Sequence, residues 1–594
     1  MEQKVNIKKL KERYEQLYSE KAKNFGLWDD IAKYCRIEKK YNSDKTKDNS
    51  GQQIDNELND PSALLSINSS ANNLYGILIG NGEFFNLNIN EELKEKLGAD
   101  FQDVQDYIKK IGKRVLKEIN KPESNFKNCI QEHLKDQQTF GTSGIGTFVN
   151  DKYLKGKSNA IFEFVPYGID NITIDESRSG IIDTIFVDYS WRINKIVDTF
   201  CFSNGCFDEE KFNRLPDKLK NSYKNKPNDK YNLQFCIIDN TFFKKGVEGK
   251  IGCKYIGVWY SPDVENYQLD IEYYKDMPIN IVRVDKLRGE LYGRADGTKL
   301  ISFIKMLNYC MSDTIMAIDK MVMPAKAVID GSLTGDKVID TTPGSATVVN
   351  MPVGINQSPI FNLEDIKDIS PLVNVLLPYL RETISTGFKV DILLDNNNQT
   401  AKTATEMIQR YNIRSKLLYS IVYQQVNELL IPLINYCIKI MFELGELGEM
   451  QRDPIKDLNN EDYLVVPDIV QKYIKEEKEW YIIEFNTEIS KMAKSGELEN
   501  ISQLLQFIGS IAQFQPNVLQ TVDWYKIISR TEFLLNSGES YLISKNDYED
   551  IITSMQQAQA QQMELQNANI NSQTQKNISG ATKENLEALN GYNR

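Results

Sequence analysis

Histidine is almost absent from this sequence: His133 is the only one in 594 residues. Any Ser-His-Asp or Cys-His catalytic arrangement would have to use it. Its segment, NCIQEHLKDQQTFG, carries apolar residues at helical spacing, which is typical of a core-facing helix with a structural histidine. Ser143 follows in GTSGIGTF, but Ile145 stands where a G-x-S-x-G turn needs its second glycine. The sequence therefore favours a structural role for His133.

Motifs that hold metals and phosphates are missing as well. The eight cysteines include no C-x-x-C pair, so nothing predicts a zinc site. Most lie among apolar neighbours, as free core thiols in a reducing compartment do. GKS at 156–158 is not a P-loop because Asp151 occupies its first glycine position. Carboxylates such as Asp391 and Glu406 are too scattered to form a metal or acid–base set, so we predict no cofactor and no enzymatic activity.

Long apolar runs and a net positive charge are also lacking. No stretch of about 20 apolar residues occurs, and the longest candidate, 429–445, contains Pro432, Lys439 and Glu443. We therefore predict a buried helix there and no membrane span. The formal net charge is −12, whereas a tight DNA binder normally carries a basic face that displaces counterions. Any contact with DNA should be loose and non-specific, as at a wall that DNA slides past.

The residues that are present predict an α+β, mainly helical protein. An amphipathic helix covers 4–34, and Asp60 with Pro61 marks the start of another. Further helices are expected at about 91–119 and 123–139. Strands dominate 146–285, where TIFVDYSW alternates in polarity and three later strands predict an antiparallel meander. Two short helices, at about 192–201 and 208–225, interrupt this region.

The second half of the chain is predicted to contain two helices around a small β-rich segment. A helix covers 298–322, with Leu300, Ile304, Leu307, Ile315 and Ile318 on one stripe and several methionines that we interpret first as core packing. Short strands (AKAVID, ATVVNM) fill 325–364, and a helix returns at about 365–388. The next helix, about 402–445, is kinked by Pro432. After the strand WYIIEF come helices at about 497–514, 520–536 and 546–560, and then a flexible or loosely helical polar tail.

Six motifs, taken in order, resemble those of the portal (head-to-tail connector) proteins of short-tailed T7-like bacteriophages. The first two are the helix with Trp28 and SINSSANNLYGILIGNGEFF, in which Phe84-Phe85 replaces a Trp-Phe pair. TFGTSGIGTFV and the pair FEFVPYG and DESRSGIID follow. The last two are MPINIVRVDKLRGELYGRADG and TATEMIQR. Phe84, the acidic and Asn-rich loops and the longer tail depart from the pattern and point to a distant branch, such as the crAss-like phages.

The resemblance implies a portal-type ring subunit, commonly one of twelve, at one vertex of an icosahedral head. It divides the chain into a wing (1–296), a first stem helix (297–324), a clip (325–364), a second stem helix (365–390), a tunnel loop (391–402), a long helix with a return to the wing (403–495), a helical crown (496–560) and a polar tail (561–594). The DNA-facing residues that it implies are Asn396, Asn397, Asn398, Gln399, Thr400 and Lys402.

The implied function is a channel for packaging and ejecting double-stranded DNA. The implied partners are further copies of the chain, the major capsid protein, the terminase large subunit and tail adaptor proteins. The implied location is the virion, and the host cytoplasm during assembly. Alternatives remain open: a helical scaffold or adaptor without a channel, or a nucleic-acid enzyme with an unrecognised site. Asn396–Gln399 could equally be an ordinary solvated loop, and Arg294 could pair within the subunit instead of facing DNA.

Overall fold

The chain folds as an α+β, mainly helical protein, as predicted. The computed structural model describes residues 6–36, 60–80, 82–90, 93, 96–97, 101–154, 156–203, 206–239, 253–264, 267–322, 326–328, 360–362, 369–390, 420–448, 464–476, 478–486, 488–512, 514–515, 522, 524–535 and 545–591. These form two compact units, 1–488 and 489–594.

Helices account for most of the regular structure. They are α1 (Ile7–Ala22), α2 (Phe25–Cys35), α3 (Ser62–Leu78), α4 (Phe101–Ile119), α5 (Phe126–Phe140), α6 (Asp151–Leu154), α7 (Ile193–Phe200), α8 (Glu209–Arg214), α9 (Asp217–Asn225), α10 (Asp296–Val322), α11 (Leu377–Gly387), α12 (Ile431–Glu443), α13 (Asp468–Lys475), α14 (Glu488–Ala512), α15 (Trp524–Leu535) and α16 (Lys545–Gly591). Wider π-helical turns, Leu372–Leu376 and Val426–Leu430, lead into α11 and α12.

The strands lie in the first unit. They are β1 (Phe85–Ile89), β2 (Thr142–Val149), β3 (Phe162–Tyr167), β4 (Ile172–Glu176), β5 (Ile182–Arg192), β6 (Phe202–Ser203), β7 (Cys206–Phe207), β8 (Lys230–Asp239), β9 (Tyr255–Ser261), β10 (Tyr267–Tyr274), β11 (Ile279–Arg283), β12 (Lys326–Val328), β13 (Ile360–Asn362) and β14 (Tyr481–Phe485).

The predicted antiparallel meander is confirmed. The order β10-β9-β8-β5-β4 forms one five-stranded sheet, and β11-β2-β3 forms a second sheet. Ile185 and Val187 of β5 point into the main core, whereas Phe186, between them, packs on the opposite face with Leu10 and Leu17 of α1. Apolar residues therefore lie on both faces of β5 because helices cover both sides.

The single helix predicted for 4–34 is in fact two helices, with a break at Lys23 and Asn24. Leu10 and Leu17 pack on one face of the five-stranded sheet, while Trp28 and its neighbours in α2 belong to the main core on the other. One straight helix cannot cover both faces of a sheet, so the chain bends between them.

Two later helices also differ in detail from prediction. Near Pro432, where a kink was predicted, a π-helical turn directly precedes α12, which fits the N–H that proline lacks. Residues 403–419 of that predicted helix lie outside the described part. The short helix predicted near 546–560 is longer than expected and continues as α16 to Gly591, which agrees with the helical alternative for the tail. Its Gln, Ala, Lys and Met residues favour a helix even without an apolar stripe.

Two further predictions about single segments can be compared with the structure. The buried helix predicted within 429–445 is confirmed, because Leu433, Ile434 and Cys437 of α12 are buried. No helix in the described ranges is both long and apolar enough to cross a membrane. The predicted strand ATVVNM lies outside the described residues.

Candidate functional site

The two helices expected to flank the channel, α10 and α11, pack side by side and run antiparallel. Gly387 at the end of α11 lies against Leu300 near the start of α10. At the other end, β12 follows α10, β13 precedes α11, and these two strands pair antiparallel. The sequence had predicted β12 but not β13. The six loop residues expected to face DNA, Asn396 to Gln399, Thr400 and Lys402, lie outside the described residues.

The chain around the start of α10 is held by closely packed glycines. A Cβ on Gly293 would lie 2.4 Å from the carbonyl oxygens of both Gly141 and Val284, and one on Gly297 would lie 2.6 Å from that of Thr139. Gly141 has φ +84° and its own carbonyl accepts a 2.8 Å hydrogen bond from Val284 N–H. The TFGT and YGR motifs, some 150 residues apart in sequence, therefore pack backbone against backbone and allow no side chain between them.

An ion-pair network joins the start of α10 to the end of α11. Asp296 accepts from Lys389, just beyond α11, and from Lys299, which also pairs with Asp285. Burial alone would lower the pKa of Lys299, but hydrogen bonds and charge from Asp285 and Asp296 outweigh it and raise that pKa. Lys389 has φ +60° and lies two residues before the predicted tunnel loop, so this network fixes the chain directly after α11.

A second group of hydrogen bonds and ion pairs connects the middle of both helices to the start of α3. The Asp60 carboxylate accepts from Arg381 Nη2 at 2.7 Å and Nε at 3.0 Å, and from Ser62 N–H at 2.9 Å. Asp60 N–H donates to Asn308 Oδ1 at 2.7 Å. Burial alone would raise the pKa of Asp60, but the hydrogen bonds from Ser62 and Arg381 outweigh it and lower that pKa. The predicted start is off by one residue, because α3 begins at Ser62 with Pro61 and not Asp60 at the N-cap position, although the Asp60 carboxylate still accepts from the first helical N–H.

The helix pair also exposes a set of large apolar side chains, interspersed with exposed polar ones such as Asp319 and Lys320. Met306, Tyr309 and Met316 lie on the side of α10 opposite its buried stripe, with exposed fractions of 47%, 68% and 53%. Ile318, Met321 and Val322 continue the stripe itself but stay exposed, and α11 and the turn before it add Val373, Val375 and Tyr379. The interpretation of these methionines as core packing of the chain is therefore wrong for Met306, Met316 and Met321. We call this surface, on α10 and α11, the apolar flank.

Charged residues of the MPINIVRVDKLRGELYGRADG motif are used inside the chain. Arg283 donates to Glu176 at 2.5 Å and to the carbonyl oxygens of Gly180 and Leu291. Lys286 binds the same Glu176 carboxylate. Arg294 pairs with Glu290 at 2.5 Å, so the alternative in which Arg294 pairs within the subunit is the one that the structure supports.

His133 lies in a hydrogen-bonded chain with two polar partners. Ser143 Oγ donates to the His133 carbonyl oxygen and lies 2.9 Å from Nδ1, while Gln425 Oε1 lies 3.2 Å from Nε2. Burial lowers the pKa of His133 from 6.5 to about 4, against the hydrogen bond to Gln425, which raises it. A neutral imidazole and an amide in place of a carboxylate do not make a catalytic triad. His133 joins α5, β2 and the segment before α12, which is a structural role.

The thiols and carboxylates also behave as structural groups. Of the seven cysteines whose side chains the structure describes, all but Cys253 are buried. Burial raises the pKa of Cys35 and Cys129 to about 12, so these thiols are unreactive. Within the described ranges, no group of three or more His, Cys, Asp and Glu residues could hold a metal ion.

The α+β subunit thus combines an anchored helix pair with exposed apolar side chains on the same two helices. The sequence profile of the family described as bacteriophage head to tail connecting protein matches residues 7–535. The chain therefore belongs to that family. Its members are structural rather than enzymatic, in line with the prediction of no enzyme.

Two individual proteins illustrate the similarity. The portal protein of Salmonella phage epsilon15 is 22% identical over 438 residues, which cover 71% of this chain and 69% of that protein. A chain from the solved virion of a native gene transfer agent particle is 10% identical, with a TM-score of 0.28, and the match covers 67% of this chain and 89% of that one.

Proposed function

We propose that the chain is a phage portal subunit that assembles into a closed ring at one vertex of the capsid. Double-stranded DNA is packaged and ejected through the central channel. The ring binds the major capsid protein, the terminase large subunit during packaging and tail adaptor proteins afterwards. It is formed in the host cytoplasm and ends in the virion. Membership of the head-to-tail connecting family and the apolar flank support this proposal.

The apolar flank carries the argument for a ring. Soluble monomers rarely expose contiguous apolar patches larger than a few hundred Å², yet side chains on α10 and α11 are exposed along the helix pair. One ion pair, Lys389 with Asp296, joins the two helices at one end. A second, Arg381 with Asp60, ties the middle of the pair to the start of α3. The free flank therefore fits the neighbouring copy, and a head-to-tail contact of this kind closes into a ring when the rotation per subunit fits.

The parts of a portal are assigned on the same basis. The wing is 1–296, and the stem is 297–324 with 365–390. The clip is 325–364, whose ends pair as β12 and β13, and the crown is 496–560. The loop 391–402 lines the channel with Asn396, Asn397, Asn398, Gln399, Thr400 and Lys402, whose amides can bind phosphates transiently without strong long-range attraction. Replacing Asn396–Gln399 with Gly-Ser residues should leave rings intact and impair packaging.

Imaging of the purified chain tests the ring directly. Negative-stain images and mass photometry at micromolar concentration should show closed rings, commonly of twelve subunits, with a central hole. In the double variant Met316→Glu/Met321→Glu, two charges would be buried at the contact, which costs several kcal/mol. Because both methionines are about half exposed in the single chain, at 53% and 50%, this variant should fold normally and remain monomeric.

Ile181→Glu is the matched control, since Ile181 is 67% exposed but lies in a turn away from the flank. It should assemble as the unaltered chain does. A stable monomer of the unaltered chain would overturn the portal proposal and favour a scaffold or adaptor without a channel. The portal proposal would also be contradicted if the double variant still formed oligomers and these were open and irregular.

A further inference from the structure

The exposed side of α4 is basic in its C-terminal half, after Asp106, although the chain as a whole carries a net charge of −12. From Lys109 to Lys127 the sequence contains seven Lys and Arg residues against two Glu residues. Positive charge is therefore concentrated on one short segment. This segment lies in the first unit and packs on β1.

The opposite side of α4 fixes the direction in which the lysines point. Val104, Ile108, Ile111, Val115 and Ile119 are all fully buried, so the helix cannot rotate without exposing them. On the solvent side, Lys110, Lys113 and Lys117 are exposed at a spacing of three and then four residues, which aligns them on one face. They span about 10 Å along the helix axis, with Lys109 beside them. We call these four residues the lysine face.

Neighbouring cations pair with other residues in the described part of the chain, whereas the lysine face does not. Arg114 pairs with Glu446 at 3.0 Å, and Lys121 pairs with Glu118 at 2.7 Å. Lys109, Lys110, Lys113 and Lys117 form no ion pair or hydrogen bond through their side chains with any residue that the structure describes. Their charges are available to an external anion.

Stabilisation of the helix itself explains only part of this pattern. Asp103 in the first turn and Lys117 in the last turn suit the helix dipole. That effect fades within one turn, and Lys109, Lys110 and Lys113 lie farther from the end. A second basic stretch, on α9, is less available because Lys220 pairs with Asp217 and Lys218 donates to the Asp263 carbonyl oxygen.

We propose that the lysine face binds the phosphate backbone of duplex DNA without sequence preference. The choice of partner rests on the proposed function, in which DNA is the polyanion that the protein handles. Over about 10 Å of axis, duplex DNA presents roughly six charges, which suits a short row of lysines. No large apolar side chain of α4, all of which is described, is exposed, so the face lacks the aromatic anchors of protein-binding hot spots or base-stacking surfaces.

Fluorescence anisotropy with a labelled 30-base-pair duplex tests the proposal on the full-length protein. The test variant is Lys110→Gln/Lys113→Gln/Lys117→Gln. The control is Lys8→Gln/Lys9→Gln/Lys23→Gln, which removes three exposed lysines from α1 and its C-terminal end, where glutamates are interspersed. At about 50 mM salt the test variant should bind at least about tenfold more weakly, and its log–log salt slope should be shallower by about 2 to 3, since each phosphate contact contributes about 0.9. The control should change little.

Equal losses in both variants would show an effect of net charge alone and overturn the proposal. Unchanged binding by the test variant, or no binding by the unaltered chain at low salt, would also overturn it and leave an acidic protein surface as the partner. Mass photometry of the same samples reports ring assembly separately. If the unaltered chain forms no ring, and DNA binding is lost only in the test variant, the portal function is refuted but DNA binding by the lysine face is supported.

Discussion

The two halves of helix α10 meet different surroundings. In the first half, Leu300, Ile304 and Leu307 are buried, and the closely packed backbone of Gly293 and Gly297 holds the start of the helix. In the second half, Met316, Ile318 and Met321 are about half exposed. The same helix thus belongs to the core of its own chain at one end and presents an apolar surface at the other. The buried half specifies the subunit, and the exposed half is the part that we propose for contacts between subunits.

The largest effect is expected where the first half is anchored. Gly293→Ala would place a Cβ 2.4 Å from two backbone carbonyl oxygens that cannot both move. We expect the free energy of unfolding to fall by about 4 kcal/mol or more, with a large loss of soluble protein. Urea denaturation followed by circular dichroism measures this.

Gly289→Ala is the matched control for that substitution. Gly289 has φ +83° but nothing within 4 Å of an added Cβ, so only backbone strain of about 1 to 2 kcal/mol is expected. Equal losses for the two variants would mean that the interlocked backbone of the TFGT and YGR motifs does not anchor α10.

A smaller effect is expected from the buried histidine, on α5, the helix that packs against α10. The folded chain holds His133 with a pKa of about 4, below its usual 6.5. The unfolded chain therefore binds the proton first, and stability is complete above pH 6.5 and falls as the pH drops towards 4. At pH 5 the loss should be about 2 kcal/mol.

His133→Gln removes this titration and keeps a polar side chain near Ser143 and Gln425. The variant should be less stable than the original at pH 7.5, but its stability should change less between pH 7.5 and 5. Urea midpoints at the two pH values provide the measurement. If the variant retains the full pH dependence, other groups are responsible and the anchored half does not depend on a neutral His133.

The sequence predicts the regular part of the fold well because alternation and helical spacing are local signals. Ile185 and Val187 marked one face of β5 correctly, and Asp60 marked the start of α3 to within one residue. The break at Lys23 could not be predicted, because it depends on a sheet formed by strands far along the chain. Nor could the packing of Gly141 against Gly293, since both motifs were recognised but nothing local shows that they touch.

Exposure was the other quantity that local patterns could not give. Met316 and Met321 look like core residues because apolar residues usually are, and only the folded structure shows that they are about half exposed. The lysine face was visible as KKIGKRVLKEINK, but the net charge of −12 led to the expectation of no basic surface. The net charge of a whole chain does not show where residues of the opposite charge are concentrated.

The smallest effect on folding is expected at Tyr309, in the middle of α10. Tyr309 is 68% exposed, whereas Leu307, two residues earlier and on the buried side, is 1% exposed. Leu307→Ala should destabilise the subunit by about 2 to 5 kcal/mol through the cavity that it leaves. Tyr309→Ala should change the free energy of unfolding of the dissociated subunit by no more than about 0.5 kcal/mol, yet it should raise the concentration at which rings dissociate. Urea denaturation and mass photometry over a dilution series measure the two quantities on the same variants. A loss of subunit stability from Tyr309→Ala as large as that from Leu307→Ala would mean that the side of α10 with Tyr309 is also core, and the distinction between buried and exposed surfaces of α10 would fail.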